Sequence, residues 1–250
     1  MNVRRLNPGR GLSCIVLGCA LVAGLLPAAH AGSFSVSPVR IFMQPRERAT
    51  AVTVANEGTT DLVMQADVFE WTQGEDGADK LTPTEDIILA PPILKIAPGS
   101  RQVVRLANLR PPPTDAQKTY RLIVREVPEA QAQASGINVQ VALAFSLPVF
   151  ITPPNAKPTL VCQSRRSNPT TPVVTCENTG QAYVQPVNLS LAPASGETLN
   201  QDIRGGYILP QVRRSFDLPA AATPLRTGPA KLTVTLDDGS KQTFDVQLTE

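Results

Sequence analysis

Four cysteines, one histidine and adjacent carboxylate pairs such as Glu85/Asp86 and Asp237/Asp238 are the side chains of this 250-residue chain suited to chemistry. An imidazole beside Ser or Cys would make a nucleophile–base unit, and the same ring would ligate zinc. The only histidine, His30, falls in a segment that reads as an export signal. Arg4, Arg5 and Arg10 form its basic region, residues 12–26 its apolar stretch, and Ala29-His30-Ala31 its small-residue cleavage site. A retained membrane anchor is the alternative; the short apolar stretch and the cleavage site speak against it, and no later stretch is long enough to span a bilayer.

Cleavage after residue 31 would remove His30, Cys14 and Cys19. The remaining chain then has no imidazole for a catalytic triad or a metal. The carboxylate pairs lie beside turn residues, where a solvated turn is the plain reading. No metal cluster and no phosphate-cradling loop is visible, so neither an enzyme nor a cofactor is expected. Lys+Arg falls from 23 to 20 against 21 Asp+Glu, and the net charge moves from +2 to −1. This opposes nucleic-acid binding, which requires a basic patch. Cys162 and Cys176 remain, on consecutive predicted strands. In an exported protein a disulfide is expected, worth roughly 3 kcal/mol for a loop of this length. A reactive redox pair would have Cys-x-x-Cys spacing, which is absent.

The elements that must position these residues read as strands throughout. The most telling stretch is residues 136–152, GINVQVALAFSLPVFIT. Ile137, Val139, Val141, Leu143, Phe145 and Leu147 alternate with Asn138, Gln140, Ala142, Ala144 and Ser146. Such a strand either fills its own core or lends its apolar side chains to another protein. No charge occurs between Glu129 and Lys157, although exposed edge strands are usually guarded by charge. Before it, strands are expected over residues 33–43, 49–56, 61–71, 87–89, 93–96, 101–107 and 120–127, with Pro38 marking an edge or bulge. Beyond Pro153-Pro154-Asn155-Ala156 they are expected over 160–163, 173–177, 187–191, 206–209, 214–218, 231–236 and 243–248. The last two flank Asp237-Asp238-Gly239-Ser240, a hairpin turn. The fold class is all-β. Residues 1–31 form the signal, 32–153 one immunoglobulin-like sandwich and 157–250 a second.

Several stretches together resemble the periplasmic chaperones of the chaperone–usher pilus pathway. They are Val54-Ala55-Asn56-Glu57-Gly58, Val68-Phe69-Glu70-Trp71, Pro91-Pro92-Ile93 through Pro98-Gly99, Val103-Val104-Arg105-Leu106, residues 120–128 and 145–150, and Tyr207-Ile208-Leu209-Pro210 with Arg213-Arg214. The resemblance implies two immunoglobulin-like domains in an L- or boomerang-shaped arrangement, with a cleft between them. It implies a periplasmic protein that binds pilus subunits and delivers them to an outer-membrane usher. Val139, Val141, Leu143, Phe145 and Leu147 would be inserted into the subunit by strand addition. A cationic anchor for the subunit's terminal carboxylate is also implied. Arg121 is the first candidate and Arg40 the second, with Arg125 and Arg105 after them. Better-known members carry a cleft lysine where this chain has Pro148, and the wording around Ser146 to Phe150 is closer to the archaic branch, which serves subunits of the spore-coat type. A structural pilus subunit or surface adhesin is the competing reading; it would be one incomplete sandwich rather than two domains.

Overall fold

The computed structural model describes residues 34–44, 46–128 and 141–250. The signal segment and the first half of the alternating stretch, Val139 included, lie outside the described residues. The chain is all-β, with two immunoglobulin-like sandwiches in sequence.

The first sandwich contains β1 (Phe34–Ser37), β2 (Ile41–Met43), β3 (Ala49–Asn56), β4 (Leu62–Gln73), β5 (Asp79–Pro83), β6 (Ile87–Ala90), β7 (Ile93–Ile96), β8 (Arg101–Asn108), β9 (Lys118–Glu126) and β10 (Ala144–Ile151). One sheet has the order β1-β3-β8-β6; the other runs β2-β10-β9-β4-β5, with β7 also paired to β4. Period-2 alternation explains the core. Val52, Val54, Val104 and Leu106 from the first sheet meet Met64, Leu122, Val124, Leu147 and Val149 from the second. On β9 this leaves Tyr120, Leu122 and Val124 inside and Arg121, Ile123 and Arg125 on the outer face.

The second sandwich contains β11 (Leu160–Arg166), β12 (Pro172–Asn178), β13 (Pro186–Pro193), β14 (Leu199–Asp202), β15 (Arg213–Asp217), β16 (Gly228–Leu236) and β17 (Lys241–Thr249). They form a continuous order, β14-β13-β16-β17-β11-β12-β15. Its two ends fold over one core, because Leu189 and Val234 from one end pack with Val174 and Phe216 from the other. Cys162 and Cys176 are directly opposed on β11 and β12 and are joined by a disulfide.

Both sandwiches repeat one local device. Asn56 and Asn178 end β3 and β12, and each is followed two residues later by glycine. The buried Asn56 amide donates to the carbonyls of Thr60 and Ile96 and accepts from the Gly58 N–H. Asn178 does the same with Ala182, Ile208 and Gly180. Each asparagine thereby satisfies backbone groups that a strand end would leave buried and unpaired. Gly180 also has to be glycine, because a Cβ there would collide with the Lys157 carbonyl and Thr159 N–H.

Four sequence expectations change. Residues 33–43 are two strands in different sheets, and the chain crosses between them over Pro38 and Arg40. The β5 strand is unanticipated because every residue of DKLTP is exposed and none marks a core face. The short β14 strand is unanticipated too; it pairs only with β13 at the end of the sheet. Residues 206–209 are not a strand but a loop making one bridge, Val184 to Ile208.

Candidate functional site

The outer face of β4, β9 and β10 should be polar, yet it carries Trp71 and Phe150. Trp71 continues the outward row of Asp67 and Phe69, and Phe150 that of Ser146 and Pro148. Both are completely buried, because the second sandwich covers them with Tyr207, Leu209, Tyr183 and Val212. Phe150 stacks on Tyr183 at 4.2 Å between centroids, and Tyr207 meets Trp71 edge-on at 5.3 Å. Each such pair is worth about 0.5–1.5 kcal/mol beyond the area it buries.

Two glutamines fasten this aromatic junction. The Gln73 side-chain amide donates to the Tyr207 carbonyl at 3.0 Å and accepts from the Leu209 N–H at 2.9 Å. Gln117 accepts from the Tyr183 N–H at 2.9 Å and donates to Thr152 Oγ1 at 2.6 Å. The β4–β5 hairpin reaches the second domain as well. Gly77, with φ of 76°, lies under the Arg214 side chain, where a Cβ would strike Cγ at 2.8 Å.

Arg121 and Arg40 both lie near Tyr207, their guanidinium carbons 5.5 and 5.7 Å from its ring centroid. Arg121 lies flat on Trp71, with Cζ 3.7 Å from the indole centroid. Its side chain is only 12% exposed, and its polar contacts, to Asp79 Oδ2 and the Ser146 carbonyl, are both 3.5 Å long. Burial lowers its pKa from the ordinary arginine value, opposed by Asp79 and Tyr207. Arg40 is bound closely to Asp237, Gln185 and Tyr183 of the second domain. Burial acts on it most strongly and downward. The Asp237 hydrogen bond and the nearby tyrosines outweigh that, so its pKa is raised.

The other two arginines are elsewhere. Arg125 shares the outer face with Arg121, but it is paired with Asp67 Oδ2 at 2.8 Å, away from the aromatic junction. Arg105 is exposed on β8, opposite Ala51 and Ala90 in the other sheet, because β8 pairs with β3 and β6. It does not join the group.

The alternating stretch is divided. Val141 and Leu143 are exposed, at 69% and 38%, and precede β10. Phe145 turns to its own core and packs edge-on against Phe34 at 5.1 Å. Leu147 is 3% exposed within that core. The five-residue expectation is therefore corrected for Phe145 and Leu147, whose apolar faces their own sandwich uses; Val139 is outside the described residues.

Backbone geometry leaves the same region open. The Leu143 carbonyl accepts the Glu126 N–H at 2.9 Å. In antiparallel register, residues 143, 145, 147 and 149 then bond toward β9. Ala144, Ser146 and Pro148 direct their backbone groups to the other side, where β2 covers only Val149 to Ile151. Pro148 lacks an N–H at a position where that edge has no strand partner among the described residues, which is where a strand tolerates proline.

Asp86, Asp237 and Asp238 of the carboxylate pairs have structural partners. Asp86 accepts from Arg110 Nε and, at 3.0 Å, from Tyr120 Oη. Burial opposes its ionisation most, but the two hydrogen bonds outweigh it and hold its carboxyl below the usual range. Asp238 accepts from Ser240, which lowers its pKa too. Among the described residues no group of three His, Cys, Asp or Glu side chains is placed to hold a metal, and no helix is long and apolar enough to cross a membrane.

Sequence reasoning did not assign a site role to Trp71, Phe150, Tyr183, Gln73 or Gln117. Outward parity of Trp71 and Phe150 was the available signal, since large aromatics on a polar face need a cover.

Residues 33–157 match the family described as pili and flagellar-assembly chaperone, PapD N-terminal domain. Chaperone protein LpfB of Salmonella typhimurium is 29% identical over 154 residues, covering 61% of this chain and 62% of LpfB. Chaperone protein FimB/FhaD of Bordetella pertussis is 31% identical over 153 residues, covering 58% of this chain and 60% of its own length. The matches thus span about three fifths of these curated relatives. Among solved structures, the CsuC–CsuE chaperone–tip adhesion subunit pre-assembly complex from archaic chaperone-usher Csu pili of Acinetobacter baumannii is similar. Its TM-score is 0.62 at 24% identity, over 87% of this chain and 99% of that one. The Pseudomonas aeruginosa CupB2 chaperone gives 0.54 at 20% identity, over 86% and 100%. At these identities the structural likeness is one of fold.

Proposed function

Because the chain belongs to the pili and flagellar-assembly chaperone family, we propose that it is a periplasmic chaperone that holds pilus subunits by strand donation and delivers them to an outer-membrane usher. The signal-like residues 1–31 and the Cys162–Cys176 disulfide support an exported protein in an oxidising compartment. The function is binding without chemistry. A subunit with a missing strand exposes an apolar groove and unpaired edges that aggregate. The open backbone of Ala144 and Ser146 can pair with such an edge, while Val141 and Leu143, preceded by Val139, fill the groove. Subunits of the spore-coat type follow from the archaic-branch wording.

Arg121 carries the reading. Its guanidinium is largely shut off from water, yet among the described residues no acceptor lies closer than 3.5 Å. A buried charge so weakly paired is unfavourable. A subunit carboxylate arriving beside β10 would supply two short charge-assisted hydrogen bonds. The test is periplasmic co-purification with mass spectrometry of the captured proteins. Arg121→Ala should fold, by circular dichroism, and lose the subunit. Arg121→Lys should recover only part, since lysine lacks the planar fork. Wild-type yield from Arg121→Ala would reject this anchor.

A further inference from the structure

The free edge of β10 ends abruptly. Ala144 and Ser146 turn their N–H and carbonyl groups toward it, because the residues that alternate with them bond to β9. Pro148 faces the same way but extends nothing. Proline has no N–H. Its carbonyl is taken as well: β2 pairs in parallel with Ile41 opposite Val149, and in that register the Ile41 N–H donates to the Pro148 carbonyl. Among the described residues, the last open backbone group of this edge is thus the Ser146 carbonyl, which Arg121 Nη1 approaches only at 3.5 Å. The chain also blocks the way past it. β1 makes its last rung, Ser37 opposite Thr53, in the other sheet. Pro38, Val39 and Arg40 then cross the sandwich edge to β2, which lies end to end with any strand laid along Ala144 and Ser146.

We propose that Pro148 is a specificity-determining residue for the captured strand: it closes the backbone ladder after the Ser146 carbonyl, so the edge favours a guest chain that terminates at this level over one that runs on. This rests on the strand-donation reading above. The last residue of a guest strand can donate its N–H to the Ser146 carbonyl. Its own carbonyl then lies at the level of Pro148, where no N–H answers. Burial makes the gap unfavourable, since Ala144 and Ser146 are exposed but Pro148 is buried. A chain that runs on places a peptide carbonyl there, unpaired and screened from water. A chain that ends places a carboxylate, whose charge and second oxygen let a side-chain cation serve it instead. A complete ladder is indifferent to whether its guest ends; the missing donor removes that indifference.

The test is a double-mutant cycle with Pro148→Ala, which returns the N–H at an edge position that β9 does not use. The probes are the subunit that co-purifies with the wild-type chain and the same subunit extended by Gly-Ser at its C-terminus. Extension should weaken capture by both chains, and by roughly fivefold more for the wild type, the scale of one buried carbonyl left unpaired. Hydrogen exchange gives a second readout. Capture should slow the Ala144 and Ser146 amides in the wild type, and the new amide at position 148 when the variant holds the extended subunit. Equal losses on extension overturn the role of Pro148. So does a Ser146 amide that stays fast while Ala144 slows, because the ladder then ends before the stop. If the wild type captures no subunit, or neither amide slows, strand donation itself fails and the stop with it. If both amides slow and the losses are equal, strand donation stands and only the stop falls.

Discussion

The two halves of β10 follow one another without a break in the chain and live under different physics. From Leu147 to Ile151 the strand pairs with β9 throughout and with β2 from Val149, and all of its residues are buried. From Ala144 to Ser146, and in Val141 and Leu143 before them, one edge is open and apolar side chains meet water. The compositions differ accordingly. The buried half is an unbroken apolar run, LPVFI, because its inner face meets the first core and Phe150 on its outer face meets the second domain. The open half alternates. A strand covered on two faces needs no polar side; a strand with one face in water keeps one.

The contrast is broken most severely at Phe150. Phe150→Ala removes a ring that contacts Trp71, Tyr183 and Tyr207, and should cost about 3–5 kcal/mol of stability in urea unfolding. A change below about 1 kcal/mol would mean that the junction repacks. Next comes Phe145→Asp, which buries a carboxylate against Phe34 and the core and should cost about 3 kcal/mol. Normal stability for this variant would return Phe145 to the open half.

A smaller effect concerns the support behind the buried half. Tyr120 lies opposite Val149 and donates to Asp86, whose pKa is held below its unfolded value. A group lowered on folding stabilises the protein above its unfolded pKa, about 4, and loses that contribution as pH falls through the folded value. The difference in urea midpoint between wild type and Asp86→Asn should therefore be full at neutral pH and close progressively below about pH 4. A difference that grows on acidification would contradict the Arg110–Tyr120 pairing as its source. Smallest in stability is Leu143→Asp, expected within about 0.5 kcal/mol of wild type because the site is exposed. It should nonetheless abolish subunit capture, since the carboxylate would be driven unpaired into an apolar groove. Wild-type capture by Leu143→Asp would remove the open half from the binding surface.

Much of the fold is legible in the chain itself. Val52/Val54, Tyr120/Leu122/Val124 and Leu232/Val234 fall on every second residue, and alternation needs only the geometry of a strand. The polar β5 and β14 strands show no such pattern. They are strands because β4 and β13 present ladders for them to complete. At the site, the legible part is Arg121 beside β10 and the uncharged apolar stretch. The illegible part is Arg105, whose strand lies in the other sheet, and the division of β10 at Leu147.

By itself, the sequence determined two β-sandwich units, the disulfide pairing of Cys162 with Cys176 and an unguarded apolar segment before Pro153. These follow from local periodicity, turn residues and the placing of the two cysteines on consecutive strands. Tertiary structure alone decided that Val141 and Leu143 are exposed while Leu147 is in the core, that Trp71 and Phe150 are covered by a second domain, and that Arg40 is held by three acceptors while Arg121, among the described residues, has two polar contacts of 3.5 Å. The reason is range. Asp237 lies 197 residues from Arg40, and Tyr207 134 from Gln73. A guanidinium carries the same charge whether or not a distant loop has reached it, so no local pattern separates the two arginines.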